Sequence, residues 1–327
     1  MHSVTTIAEL EILAKVDQDI FEVLWNKESY GRASAANHLG TYKNISVSEK
    51  LIRTWREKNI PVIVPTANVG KFNTGKTVVI MPDVQAPLHD VDLVEKFTRF
   101  IGDYQPTELA QVGDFTDSTE ISRWVRGKKP EFAGDLQAGF DASRDILDGI
   151  REVYDGRFRI VRSNHDDRLE NYLETCGPGL TSLRDLTLEK QAGFDEYDVE
   201  FVRDAVVEIA PGWVMAHGDE GSLSPSGGKT ALGLAKNKFG VSVVCGHTHR
   251  AGITPETFGY NGANQRVLTG MEVGHFMDMS KADYLRKKGA TANWQQGFGI
   301  LDIKGDIVTA RLIYVVNGEF CVDGVWY

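Results

Sequence analysis

Five short polar segments follow one another along the chain: Asp83-Val84-Gln85, Gly113-Asp114-Phe115-Thr116-Asp117, Ser163-Asn164-His165-Asp166, His217-Gly218 and Gly246-His247-Thr248-His249. Together they carry carboxylates, imidazoles and side-chain amides, the donors that suit divalent cations. Two such cations, ~3.5 to 4 Å apart, clamp both oxygens of an in-line displacement at phosphorus, so this collection is what a two-metal hydrolase needs. Apolar runs lead into several of the segments, as Thr77 to Met81, Trp213 to Ala216 and Val241 to Cys245 do. A buried strand feeding a loop has this form. Ligands at strand ends sit on rigid supports.

The surrounding elements alternate. Strand patterns at Thr77 to Met81, Glu108 to Val112 and Arg157 to Arg162 enclose helical patterns at Asp92 to Tyr104 and Gly134 to Tyr154, which reads as α/β organisation. The second half is richer in strands, expected at Val199 to Phe201, Ala205 to Ile209, Trp213 to Ala216, Val241 to Cys245, Val267 to Thr269, Gly299 to Ile303 and Ile307 to Ile313. Residues 1–69 form a separate helical region and linker, and residues 70–327 form the main domain. Within the first region, Leu39-Gly40-Thr41 is the expected turn of a helix-turn-helix. Its second helix should start near Ser46 or Ser48, with Ser46 and Glu49 placed as in a capping box. Lys plus Arg balance Asp plus Glu over residues 1–70, 8 against 8, so packing or oligomerisation is the first expectation for this region and DNA contact the second.

A 327-residue chain with 42% apolar and 25% charged residues has material for a sizeable core. The net charge of -10 disfavours a nonspecific nucleic-acid coat, which draws on clustered Lys and Arg. Three cysteines without CxxC spacing suggest neither a disulfide framework nor a thiolate zinc site. With no apolar stretch near ~18 residues and no basic-then-apolar leader over Met1 to Leu13, the expectation is a cytoplasmic protein without membrane attachment.

Taken in order, the five segments resemble the calcineurin-like metallophosphoesterase superfamily and its pattern D-x-H, GD-x-x-D, GNH-D/E, a lone His and GH-x-H; the C-terminal half, including residues 293–298, resembles its phage and bacterial branch. The resemblance spans Thr77 to His249. It implies a four-layer α/β/β/α sandwich and two divalent metal ions. Asp83, Gln85 and His249 would ligate one metal, Asn164, His217 and His247 the other, and Asp114 would bridge them. Metal-activated hydroxide would attack a phosphate ester, with phosphodiesters preferred over monoesters and nucleotides or nucleic acids among the candidate substrates. His165 is expected to meet the phosphate and protonate the leaving oxygen, with Asp117 orienting its imidazole. A DNA or RNA nuclease guided by the N-terminal helices is the alternative, and a non-catalytic DNA-binding or scaffold protein ranks third.

Two positions depart from the pattern. Gln85 stands where relatives carry His; its amide oxygen is a harder, weaker donor, so Mn²⁺ is the expected metal ahead of Mg²⁺, Fe or Zn²⁺. Ser163 replaces a Gly, which bears on loop geometry if that residue needs a positive φ. Arg168, Arg250 and His89 are candidate substrate contacts. Arg123, Trp124, Arg126, Lys128 and Lys129 together could overhang the cleft, although a solvated helix end reads the same way. His38 and His275, each isolated, read as structural or exposed. Gly227-Gly228-Lys229-Thr230 matches only part of a phosphate-binding loop, since Leu223 stands where the first Gly belongs.

Overall fold

The computed structural model describes residues 2–25, 32–48, 50–52, 55, 75–129, 131, 134–260, 262–281 and 292–327. The chain divides into two compact units, Met1–Ile63 and Val64–Tyr327; the sequence-based division after residue 69 lies outside the described residues.

The first unit contains β1 (His2–Val4), α1 (Ile7–Val16), α2 (Gln18–Trp25), α3 (Arg32–Lys43) and β2 (Ile45–Val47). A capping box of Thr6 and Glu9 starts α1. Leu10, Leu24, Leu39, Ile52 and Trp55 form its core. The helix-turn-helix expectation fails at its turn, because Leu39-Gly40-Thr41 lies within α3. Gly costs a helix interior about 1 kcal/mol, and burial of Leu39 outweighs that. The helix gives way instead at Asn44, in the left-handed region with φ 55°. Ile45 and Val47 then pair in parallel with β1. The start at Ser48 holds, since Ser48 Oγ accepts from Leu51 N at 3.2 Å. Glu49 lies outside the described residues.

In the second unit the strands and helices run β3 (Lys76–Met81), α4 (Val91–Tyr104), β4 (Glu108–Gln111), α5 (Leu136–Val153), β5 (Arg157–Val161), α6 (Arg168–Cys176), α7 (Leu188–Ala192), β6 (Val199–Val202), β7 (Val206–Ala210), β8 (Trp213–Ala216), α8 (Lys229–Leu234), β9 (Ser242–Cys245), β10 (Ala251–Tyr260), β11 (Ala263–Val273), β12 (Gly297–Lys304), β13 (Ile307–Tyr314), β14 (Cys321–Val322) and β15 (Val325–Trp326). One sheet has the order β13-β12-β3-β4-β5-β6 and the other β10-β11-β9-β8-β7. Strands β3 to β6 are mutually parallel. Strands β8, β9 and β11 are also parallel in turn.

Period-2 alternation decides which way each side chain faces. Val78 and Ile80 join Trp213, Met215, Val244, Met271 and Leu301 in a core drawn from both sheets. Their neighbours Val79 and Met81 turn the other way, onto Leu93, Phe97, Phe100 and Leu147 of α4 and α5. Val214, Val243 and Cys245 face Ala231, Leu232 and Leu234 of α8. The second unit is thus mixed α/β, with helices packed on a sheet, that sheet on a second, and a helix on the far side. Helices α4 and α5 begin where carboxylates of Asp90 and Asp135 accept from Leu93 N and Ala138 N. Strand β10 has no counterpart among the sequence expectations, because its alternating, largely exposed residues lack an apolar run. No described helix is long and apolar enough to cross a membrane.

Candidate metal centre

All five polar segments leave the carboxyl ends of parallel strands: β3, β4 and β5 of one sheet, β8 and β9 of the other. Such strand ends are where open α/β sheets place ligand sites. The backbone there is unusual. Gln85, Asp114, His247 and His249 all adopt positive φ, at 52°, 55°, 63° and 56°, a conformation that non-Gly residues seldom take. Main-chain bonds hold them in it: Gln85 N donates to Asp114 O at 2.8 Å, and Gly246 N to His217 O at 2.8 Å.

Asp114 stands at the centre. Its carboxylate, His217 and His247 offer ligand atoms within 4.8 Å of one another, and the same holds for Asp114, Asp83 and His249. Sharing one carboxylate between two triads is the geometry of a bridging ligand. Asn164 Oδ1 lies 3.1 Å from His217 Nε2, on the first triad. On the second, Gln85 Nε2 lies 3.2 Å from Asp114 Oδ2 and 3.1 Å from His249 Nε2. Asp83 is fully buried and accepts from His247 N at 2.9 and 3.2 Å. His217 Nδ1 is 2.8 Å from the carbonyl of Val112; a carbonyl only accepts, so this nitrogen carries the proton and Nε2 faces the cluster.

The residues fit divalent cations. The donor set is oxygen and imidazole nitrogen without thiolate, which suits Mn²⁺, Mg²⁺, Fe²⁺ or Zn²⁺. Two pairs of nitrogens face each other at 3.1 Å, His217 Nε2 with His247 Nδ1 and Gln85 Nε2 with His249 Nε2; a cation would draw both pairs together, with the Gln85 amide turned to present its oxygen. Burial disfavours a charged His217, but the carboxylates of Asp114 and Asp83 outweigh it and raise its pKa to about 9. Burial likewise opposes ionisation of Asp114, yet His165 and His217 hold it well below the usual carboxylate range. Asp166, buried beside Asp114, is pushed up to about 7 by burial and then by that negative neighbour.

His165 borders the cluster. Its Nδ1 lies 3.2 Å from Asp117 Oδ1, and its Nε2 lies 3.7 Å from Asp114 Oδ2 and 2.7 Å from Arg168 Nη2. Arg168 also donates to the carbonyl of Asp117. Guanidinium has no acceptor, so Nε2 accepts from it, which leaves the ring proton on Nδ1, the nitrogen nearer the Asp117 carboxylate though without a well-aligned hydrogen bond to it. Ser163 does not need the positive φ that was in question; its hydroxyl donates to Asp166 Oδ2 at 2.7 Å, and that oxygen also takes Asp114 N at 3.2 Å. Arg250 follows the second His of the last segment, with its Nε buried and without a hydrogen-bond partner among the described residues.

His89 lines a cavity between α4 and α5 with Val94, Arg99 and Asp145, and Asp90 caps α4 directly after it. His275 is structural: its Nδ1 accepts from Met277 N at 3.0 Å, and burial, with His249 nearby, brings its pKa down to about 3.

Two participants lie outside the five segments, Glu272 and Trp294. Glu272, fully buried in β11, accepts from Thr230 N at 2.7 Å, Ala231 N at 3.4 Å and Thr248 Oγ1 at 2.6 Å. It fixes the residue between His247 and His249 and takes up Thr230 N and Ala231 N at the amino end of α8, while Lys229 N donates to Ser226 O. A carboxylate within the apolar run of β11 was its sequence signal. Trp294 meets His249 edge-on, with ring centres 4.2 Å apart.

The two-sheet α/β architecture and its shared-carboxylate, imidazole-rich cluster place the chain among proteins able to hold a pair of metal ions at strand ends. No family model matches the sequence. The chain is 40% identical over 256 residues to the Gene 54 protein of Mycobacterium phage L5, which covers 77% of this chain and 98% of the relative, and it matches the Gene 54 protein of Mycobacterium phage D29 to the same extent. It belongs to the family of these phage Gene 54 proteins. Among solved structures it is similar to Vps29 from Cryptosporidium parvum (14% identity, TM-score 0.40, covering 78% of this chain and 99% of that one) and Vps29 from Chaetomium thermophilum (15%, 0.40, 77% and 98%). Nuclease MPE from Pseudomonas putida overlays at TM-score 0.29 with 11% identity, covering 72% of this chain and 87% of that one.

Proposed function

We propose that the chain is a dinuclear metal-dependent phosphoesterase of the calcineurin-like type that hydrolyses phosphodiesters. The observation that carries this reading is Asp114, shared between two ligand triads with His165 alongside. Asp83, Gln85 and His249 would hold one cation and Asn164, His217 and His247 the other, with Asp114 common to both. Bound divalent cations supply a nucleophilic water at neutral pH and positive charge for the phosphate oxygens.

The chain's own residues do the rest. Asp117 keeps the His165 ring oriented through Nδ1. Protonating a leaving oxygen requires a proton on Nε2, which Arg168 now faces. Arg168 therefore turns from the ring to the incoming phosphate, a better partner for a guanidinium than a neutral nitrogen. The ring is then free to carry the proton that the leaving alkoxide needs. Buried Asp166 and Glu272 hold the loops of Asp114 and His247 in place and touch no substrate.

The test is hydrolysis of bis(p-nitrophenyl) phosphate against p-nitrophenyl phosphate by metal-stripped protein refilled with Mn²⁺, Mg²⁺, Ni²⁺ or Zn²⁺. Diester turnover, with kcat reduced about 10²- to 10⁴-fold in His165→Ala, is the expected result. Monoester preference would replace the reading with a phosphatase, and silence with every metal would end it.

A further inference from the structure

Beside the metal centre lies a cavity of about 460 Å³ formed by the chain after Asp117 and by α6, and it shares Asn164 and Arg168 with that centre. The volume is within the range of small-molecule sites. Its chemistry is unlike the rest of the molecule. On a chain of net charge -10, Arg123, Arg126 and Arg168 line it against the single carboxylate of Asp167. Asp167 is already paired with Arg162. Among the described residues, neither Arg123 nor Arg126 pairs with a carboxylate; Arg126 instead points Nη2 at Cys176 Sγ, 3.6 Å away.

Two aromatic rings share this wall. Trp124 is 68% exposed, far more than packing would leave a ring of its size. The Arg123 guanidinium lies 4.8 Å from its ring centre. Tyr172, half-buried on α6, lines the same cavity. An aromatic face beside uncompensated guanidiniums is the pairing that receives a flat heterocycle next to a phosphate, since stacking is indifferent to base identity and the cations meet the backbone charge. A purely apolar ligand would strand the guanidiniums of Arg123 and Arg126, whereas Arg168 is already held by Asp117. A bare phosphate would have no use for the indole.

We infer that this cavity is a nucleobase subsite in which Trp124 stacks a base while Arg123 and Arg126 meet its phosphates, so that the esters presented to the metals are nucleotidyl esters. As to the reaction, this rests on the phosphodiesterase reading; as to binding, it stands by itself. The base could belong to a free nucleotide or to the end of a nucleic acid.

Calorimetric titration of Mn²⁺-loaded full-length protein with adenosine 5′-monophosphate, inorganic phosphate and the tetranucleotide (dT)₄ tests the inference without turnover. The expected result is adenosine monophosphate binding at least about tenfold tighter than phosphate. Trp124→Ala should weaken nucleotide binding roughly tenfold, as loss of one stacking platform does, leave phosphate binding unchanged, and be rescued by Trp124→Phe. Because the indole is exposed, the substitution leaves the core intact. Equal binding of nucleotide and phosphate, or equal weakening of both by Trp124→Ala, overturns the subsite. Diester turnover with no nucleotide preference removes the subsite and keeps the phosphodiesterase. Trp124-dependent nucleotide binding without turnover does the reverse. Tighter binding of (dT)₄ than of the mononucleotide assigns the subsite to nucleic-acid ends, and the opposite order to free nucleotides.

Discussion

Gly246→Ala tests whether the cluster depends on close approach of the β9 loop to Asp83. A Cβ at residue 246 would lie 2.0 Å from Asp83 Oδ1 and 2.5 Å from Val112 Cγ2. Ordinary carbon–oxygen contacts are about 3.3 Å or longer, so the overlap with the carboxylate exceeds about 1 Å. Neither neighbour has room: both are fully buried, Val112 lies in the core between the sheets, and Asp83 is tied to His247 N. Overpacking of this kind costs about 1 to 3 kcal/mol. Pushing Asp83 aside should also lower affinity for the metal it would share with His249 by about 10- to 100-fold, the range seen when a ligand's support is disturbed. Calorimetric titration with Mn²⁺ and thermal melts in chelator read the two effects separately. Gly149→Ala is the control, because its Cβ meets nothing within 4 Å in the middle of α5; it should gain about 0.5 to 1 kcal/mol and leave metal binding alone. A Gly246→Ala protein with unchanged melting and unchanged Mn²⁺ affinity would refute the argument.

Other perturbations reach the same centre by different routes. His217, held to a pKa of about 9, must lose a proton to ligate, so apparent metal affinity should rise about tenfold per pH unit below that value; calorimetry in buffers of different ionisation enthalpy that detected no proton release would contradict this. The same raised pKa stabilises metal-free protein fully below the unfolded value near 6.5 and is lost as pH rises through about 9. Raised Asp166 acts in the same direction, losing stability as pH climbs toward about 7, so melting temperature in chelator should fall from pH 6.5 to 9, and a rise would reverse the assignment. Glu272→Ala strips Thr230 N and Thr248 Oγ1 of their acceptor, at roughly 1 to 3 kcal/mol for each buried group left unpaired, and should weaken metal binding about tenfold or more; denaturant unfolding and metal titration measure the two. Gln85→His should move metal preference from Mn²⁺ toward Zn²⁺, and an unchanged ratio of activities with the two ions would show that the amide does not set it.

What could be read from the sequence divides along the line between local and long-range causes. Asp83, Asp114, His217, His247 and His249 were legible because each follows a buried strand, and continuous apolar runs gave those strands to within about a residue. The Leu39-Gly40-Thr41 turn was misread because glycine is only a weak local helix breaker, and burial of Leu39 from outside the segment decided the outcome. Glu272 lies 24 residues beyond Thr248, and no local pattern couples the two. The cavity at Trp124 needed α6 and the chain after Asp117 to meet in space, although its arginines were visible as a run.

Left-handed backbone at Gln85, Asp114, His247 and His249 sets chemistry and folding at odds in a way that selection can expose. Each side chain stands at a backbone angle where glycine or asparagine would rest more easily, at roughly 1 kcal/mol or more apiece. A randomised library screened only for soluble expression should therefore drift at these four codons toward Gly and Asn. The same library screened for turnover should hold the original letters. Divergence between the two winning pools, with neighbouring codons as an internal baseline, would mark the places where the chain gives up ease of folding for reactivity.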